Sequence, residues 1–374
     1  MHIARLSAGV VIAVVLSTGA GIAGASEDCE SAYNRQGYAE ALRLCRPLAE
    51  QGDAKAQTFI GVMFELGQGV AQDYAEAIKS YRKAADQGDA NAQTYLGYMY
   101  VQGQGVAQDY AEAVKWFRKA AEEGNAQGQY NLGLMYEQGQ GVAQDYAEAM
   151  KWYRKAADQG FGLAQSNLGL MYRLGLGVAP DYVEAVKWYR KAADQGNAQG
   201  QYNLGIMYRL GLGVAQDYAE AMKLYRMAAD QDNAPAQSNL GYMYVQGLGV
   251  AQDYADAVKW YRRAANQGYA QGQYNLGVMY AEGRGVAQDY AEAVKWYRKA
   301  AEQGEAQGQY NLGVMYAQGQ GVTQDKLVAH MWFNLAAAQG VEAAGSARDR
   351  VAADMTADQI AEAQRLAREW KPTR

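Results

Sequence analysis

"GVAQDYAEAVKWYRKAA" runs from Gly285 to Ala301, and lightly edited copies of it begin at Gly69, Gly105, Gly141, Gly177, Gly213 and Gly249. The copies are spaced at 36 residues with no insertion, and the register continues through Asp73, Asp109, Asp145, Asp181, Asp217, Asp253, Asp289 and Asp325. A second set, Gly61, Gly97, Gly133, Gly169, Gly205, Gly241, Gly277 and Gly313, keeps the same period. Eight full units therefore occupy residues 54–341. Self-similarity at such a period marks an array whose units cannot bury their apolar faces alone and must stack on one another.

Each unit reads as two helices. In residues 90–125, "NAQTYLGYMYVQ" predicts a first helix that ends at Gly103, a C-cap glycine. After the loop "GQGVAQ", Asp109 caps a second helix and Glu112 completes a variant of the capping box. Val114, Phe117, Ala120 and Ala121 fall at helical spacing and supply its buried face. The fold class is thus an all-α solenoid of helix-turn-helix repeats. Upstream, Tyr38–Asp53 aligns with Tyr74–Asp89, so residues 26–53 read as a degenerate capping hairpin. Residues 342–374 read as C-terminal capping helices, with Thr356 and Gln359 forming a second capping box and Met355 stapling onto Ile360.

The chain of 374 residues carries 35 Lys plus Arg against 40 Asp plus Glu and has no basic tract, which excludes the electrostatic footprint of a nucleic-acid binder. Apolar residues at 49% can build a core, which excludes a disordered chain. Residues 1–25 combine an early positive charge, an apolar run and small residues before Ser26, the order of a secretory signal peptide. The mature chain is then exported, periplasmic or secreted, with no membrane span; an uncleaved anchor is the alternative. Cys29 and Cys45 each lie eight residues from Gly37, the centre of a turn between two helices. Equidistant residues meet in an antiparallel hairpin, and an exported location permits their disulfide.

The pattern A-x-A-Q-x-x-L-G-x-M-Y-x-x-G-x-G-V-x-x-D-Y-x-x-A-x-x-W-Y-x-K-A-A-x-x-G, seen at Ala90–Gly124, strongly resembles the Sel-one-like repeat, a helical hairpin related to the tetratricopeptide repeat. The resemblance implies a right-handed superhelix whose inner surface binds a partner protein or peptide. Envelope members of that family act in exopolysaccharide export or restrain sensor proteins, which would make this chain an exported scaffold or regulator. Members associated with β-lactams carry a cysteine pair in every repeat, whereas this chain has only Cys29 and Cys45, so that association does not carry over.

Catalysis is tested by subtraction. The mature chain has one histidine, His330, so no Ser-His-Asp, Cys-His or histidine-ligated zinc arrangement can be assembled. His330 is read as a helix-surface residue at the repeat position of Lys295. The "GQGV" and "GLGV" loops join two helices rather than a strand and a helix, so they are punctuation and not phosphate cradles. The expectation is a non-enzyme with no catalytic, metal or cofactor-binding residue. A cell-wall-active enzyme would need a pocket of converging carboxylates, and a structural oligomer an incomplete end.

Comparison between copies points to the binding residues. The positions of Ala92, Gln93, Leu96, Gly97, Met99 and Tyr100 scarcely vary and form one arc of the first helix. Those of Thr94, Tyr98, Val101 and Gln102 vary and form the opposite arc. Along that arc stand Tyr98, then Tyr130 and Leu134, then Leu170 and Arg173, then Tyr202, Ile206 and Arg209, and finally Tyr242 and Tyr274. A face released only to solvent drifts towards Lys and Glu, whereas this one keeps residue types enriched at interfaces. These ten are the candidate groove, with the two arginines favouring acidic segments. Trp116, Trp152, Trp188, Trp260 and Trp296 are read as packing between adjacent units, and Lys115 and Lys151 as a solvated outer face.

Overall fold

The computed structural model describes residues 23–373. Among these residues there are 20 helices and no strand. The leader expected over residues 1–25 lies outside them except for its last three residues, which open α1 (Ala23–Asn34). The chain forms two compact units that divide between Asp145 and Tyr146.

In the first unit, α2 (Tyr38–Glu50) pairs with α1, and three first helices follow: α3 (Ala54–Leu66), α5 (Ala90–Gln102) and α7 (Ala126–Gln138). The second helices between them are α4 (Tyr74–Asp86) and α6 (Tyr110–Glu122). The second unit begins with α8 (Tyr146–Asp158), then α9 (Gly162–Leu174), α10 (Tyr182–Asp194), α11 (Ala198–Leu210) and α12 (Tyr218–Ala229). It continues through α13 (Ala234–Gln246), α14 (Tyr254–Asn266), α15 (Ala270–Glu282), α16 (Tyr290–Glu302), α17 (Ala306–Gln318) and α18 (Lys326–Ala338). Two further helices, α19 (Glu342–Ala352) and α20 (Ala357–Glu369), end it. Within each unit the helices stack as the consecutive hairpins of an α-solenoid.

Local chemistry sets the boundaries. Asp109 accepts a hydrogen bond from the Glu112 amide at 2.9 Å and so caps α6. The expected box is not closed: the Glu112 carboxylate pairs with Lys115 Nζ at 2.8 Å, and the Asp109 amide donates to the Tyr100 carbonyl instead. A lysine three residues on competes for the carboxylate, and the loop already satisfies the amide. Gly103 ends α5 with φ 68°, a left-handed conformation that glycine adopts without a Cβ penalty.

Two contacts recur along both units, one within hairpins and one between neighbours. A Cβ built on Gly97, in the middle of α5, would lie 2.7 Å from the Phe117 ring of α6; in the second unit Gly205 meets Tyr225 at the same distance. Helix glycine is unfavourable by propensity, so its recurrence marks the seat of an aromatic ring. The second contact is polar. Buried Gln57 donates through Nε2 to the Ala49 carbonyl at the end of α2, while its Oε1 accepts from Gln87 Nε2 at 2.8 Å. Gln237 repeats this in the second unit, donating to the Ala229 carbonyl and accepting from Gln267 at 2.8 Å. One amide thus caps the preceding helix and receives the following one, which explains an invariant polar residue in a core. Glu123 stands where Gln87 and Gln267 stand and brings no amide donor, and Gln93 Oε1 is buried without a partner; Gln165 Oε1 is buried without one too, although Gln195 stands at the matching position.

The tryptophans pack as expected: Trp116 joins a cluster with Val62, Leu96 and Met99, and Trp260 and Trp296 share another. Cys29 and Cys45 are disulfide-bonded across α1 and α2, with Cα atoms 5.1 Å apart. Thr356 and Gln359 form the capping box of α20. His330 corrects the sequence reading. It falls 36 residues after Val294, not Lys295, and is accordingly buried at 2% exposure on α18. Its Nδ1 lies 3.2 Å from Asn334 Nδ2, and burial with the nearby Arg348 charge lowers its pKa.

Candidate partner-binding face

The conserved arc of the first helices is the inside of each hairpin. Ala92, Gln93, Leu96, Gly97 and Met99 are buried, while Tyr100 is half-buried and its hydroxyl accepts from Arg82. The variable arc divides into two kinds of position. Thr94 is not on a face at all: it is 2% exposed, and its hydroxyl donates to Ala90 O and contacts Asn125 Oδ1, the cap of the next first helix. Ser166 does the same with Asn197 at 2.9 Å, and Ser238 is also buried. A short hydroxyl side chain at the start of a helix reaches the neighbouring cap and is drawn into the stack.

Where tyrosine holds that position, the ring is shared between core and surface. Tyr202 leans on Tyr225 with centroids 5.9 Å apart, and Tyr274 on Tyr297 at 6.1 Å. Tyr130 is half-buried in the first unit. The remaining candidates lie nearer solvent: Tyr98, Leu134, Leu170, Arg173, Ile206 and Arg209 are half-buried, and Tyr242 is 41% exposed. Leu174 and Leu210, exposed at 40% and 46%, sit on the same arc and were left out of the ten that the sequence reading named.

The last turn of the first helix carries a polar pairing that sequence reasoning missed. In the first unit the Tyr81 hydroxyl donates to Glu65 Oε2 at 2.5 Å. In the second, Arg209 Nε donates to the Tyr225 hydroxyl at 3.3 Å, and Arg173 lies beside Tyr189. Burial pushes the Tyr189 and Tyr225 hydroxyls up to about 12, and the adjacent arginines oppose it. Burial also raises Glu65, against the hydrogen bond from Tyr81. The sequence held a signal for this pairing: Phe117 replaces tyrosine opposite Val101, and Phe333 does so opposite Ala317. The rule has two exceptions, since Tyr261 opposite Val245 and Tyr297 opposite Ala281 keep their hydroxyls, and burial holds both well above the usual range.

Two open recesses, of about 510 and 340 Å³, lie on the second helices of the last repeats and are lined mainly by basic and apolar side chains, with one acidic residue in each. No group of three residues able to hold a metal occurs among the described residues, and no described helix is long and apolar enough to cross a membrane.

Comparison with known proteins fits this geometry. The Sel1 repeat matches at residues 54–89, 90–125, 126–161, 162–197, 198–233, 234–269, 270–305 and 306–341. A protective antigen of uropathogenic Escherichia coli strains, which displays an SLR fold, shares 34% identity over 92% of this chain and 91% of its own, with a TM-score of 0.60. A Sel1 repeat protein from Oxalobacter formigenes shares 34% over 91% of this chain and 98% of its own, with a TM-score of 0.62. No curated protein matches. Eight matched repeats stand in unbroken register with the helix pairs, and this chain belongs to the Sel1 repeat family, whose members generally mediate protein–protein interaction.

Proposed function

We propose that this protein is an exported scaffold or regulator of the bacterial envelope, in exopolysaccharide or related processes, which binds a partner protein or peptide along the outward arc of its first helices. The observation that carries the reading is the division of each first helix. One arc is consumed by the hairpin, while the other presents Tyr98, Leu134, Leu170 and Tyr242, at one equivalent repeat position, at or near the surface. Aromatic and aliphatic side chains held this way supply contact area at small entropic cost, since the helix already fixes them. The Cys29–Cys45 disulfide supports an oxidising compartment. Similarity to a protective antigen of uropathogenic strains is in keeping with a location beyond the cytoplasm.

The test is capture from an envelope extract, read by mass spectrometry, comparing residues 26–374 with a variant carrying Tyr98→Ala, Leu134→Ser and Tyr242→Ala. A protein retained by the first and lost by a variant of unchanged helicity supports the face. Equal capture by both overturns it and moves the search to the second helices.

A further inference from the structure

The eight first helices of the repeats contain three cations, Lys55, Arg173 and Arg209. Lys55 is paired with Glu30. Arg173 and Arg209 occupy the same position in adjacent repeats, in the last turns of α9 and α11, and neither meets a carboxylate among the described residues. Second-helix lysines behave otherwise: Lys187 and Lys223, in the same two repeats, each pair with a glutamate three residues back.

The two arginines are half-buried, so water screens them less than it screens a surface lysine. Arg209 Nε is turned to the Tyr225 hydroxyl, whereas Arg173 Nε and the Tyr189 hydroxyl are both buried with no hydrogen-bond partner in the protein. Burial raises the Tyr202 hydroxyl, and a hydrogen bond with Asn239 and then the charges of Arg209 and Arg173 oppose it. Two guanidiniums without a carboxylate thus sit over two buried phenol hydroxyls at equivalent places on the outward arc, and a partly desolvated cation without a counter-charge is unfavourable until an anion arrives.

The surroundings select the kind of anion. Two of the eight exposed large apolar side chains among the described residues, Leu174 and Leu210, share the last turns of α9 and α11 with the arginines. Leu174 and Leu210 follow the two arginines directly in sequence. A bare phosphate or a uronate polymer would leave these apolar groups in water, whereas a peptide with apolar residues beside its carboxylates covers them. Resting on the docking face argued above, we propose that Arg173 and Arg209, with the Tyr202 hydroxyl near both, form a carboxylate anchor for an acidic peptide segment whose flanking apolar side chains seat on Leu174 and Leu210. Guanidinium forks suit bidentate carboxylates.

The experiment uses an array of capped twelve-residue peptides made in twin sets, identical except that Asp and Glu in one set are Asn and Gln in the other. Labelled mature protein is expected to prefer the acidic set at least tenfold, the preference strongest where apolar residues flank paired acids. The variant Arg173→Gln/Arg209→Gln is expected to lose that preference. The twin comparison on the wild-type protein needs no variant and is independent of any folding defect. Equal binding of both sets overturns the carboxylate anchor while leaving the docking face standing. Binding of neither set overturns this proposal, with capture from the extract then deciding the face separately. A preference that survives the double variant places acidic recognition elsewhere and overturns it too. So does displacement of the peptides by oligogalacturonate or inorganic phosphate at equal carboxylate or phosphate concentration, which would identify the apolar rim as irrelevant.

Discussion

Residues 54–89 and 198–233 are the same hairpin built twice, and they differ where it matters for binding. Both lay a tyrosine of the second helix across a mid-helix glycine, Tyr81 on Gly61 and Tyr225 on Gly205, with a built Cβ at 2.5 and 2.7 Å from the ring. Both present that ring's hydroxyl to residue 65 or 209 of the first helix, yet one is a carboxylate and the other a guanidinium. A phenol hydroxyl donates to the first and accepts from the second, so the hairpin tolerates either sign of charge at its tip. The core contact therefore fixes the fold, and the tip is free to set the electrostatics of the outward arc, acidic at Glu65 and basic at Arg173 and Arg209.

The part the two hairpins share should break most severely. Gly61→Ala and Gly205→Ala each force a methyl into an aromatic ring, a strain of about 1–3 kcal/mol that helix propensity offsets by at most about 1. A net loss of about 2 kcal/mol in urea unfolding, of similar size for both variants, is the expected result. A difference between them larger than that loss would show that the two hairpins are not equivalent in their cores. The part they do not share is next. Glu65→Ala strands the buried Tyr81 hydroxyl and should cost about 1–3 kcal/mol, much of which Tyr81→Phe added on top should restore. That double change recreates the Ala317–Phe333 arrangement the chain already uses. If the cycle shows no coupling, the hydroxyl does not hold the tip.

Much of this was legible before any coordinates. The 36-residue register located every hairpin, because stacking leaves the same residue at each equivalent position. The disulfide followed from equal distances to Gly37. The outward arc was harder, because variability alone does not distinguish solvent from an alternative partner: Thr94, Ser166 and Ser238 vary with Tyr130, Tyr202 and Tyr274, yet the first two turn their hydroxyls inward to a neighbouring cap and buried Ser238 accepts from Asn275. Nor did single-position reading find the pairing of Arg209 with Tyr225. It becomes visible only when two columns are read together, where Phe117 accompanies Val101. His330 was misplaced by one residue, and in a helix one residue turns a side chain by about 100°, from the surface to the core.

A smaller effect sharpens the comparison of neighbouring repeats within the first unit. Gln57 is satisfied on both sides, whereas Gln93 Oε1 lacks the donor that Glu123 fails to supply. Glu123→Gln should restore the ladder and stabilise the protein by about 1 kcal/mol, the net value of one hydrogen bond plus relief of a buried acceptor. The measurement is the urea midpoint at constant m-value. No gain, or a gain equalled by Glu123→Ala, would show that loss of the carboxylate rather than arrival of the amide is what counts.

The two ends of the chain should also respond to pH with opposite signs. Burial raises Glu65, so between the unfolded carboxylate value near 4.3 and the higher folded value the native state holds more protons than the unfolded chain. Its contribution is present in full at low pH and is lost as pH rises through the folded value. His330 runs the other way: burial and Arg348 lower it, partly opposed by Asp349, so the unfolded chain holds more protons below about 6.5. Its contribution is present at neutral pH and is lost as pH falls towards the folded value. Hydrogen exchange followed at successive pH values separates the two, because repeat stability is local. Amides of α3 and α4 should exchange more slowly, after correction for intrinsic rates, as pH drops from 7, and Glu65→Gln should flatten that trend. Amides of α18 and α19 should lose protection over the same drop, and His330→Val, which restores the side chain that Val294 holds one repeat earlier, should abolish the loss. The same sign at both ends would mean that the overall charge of the chain, rather than these two buried groups, governs its response.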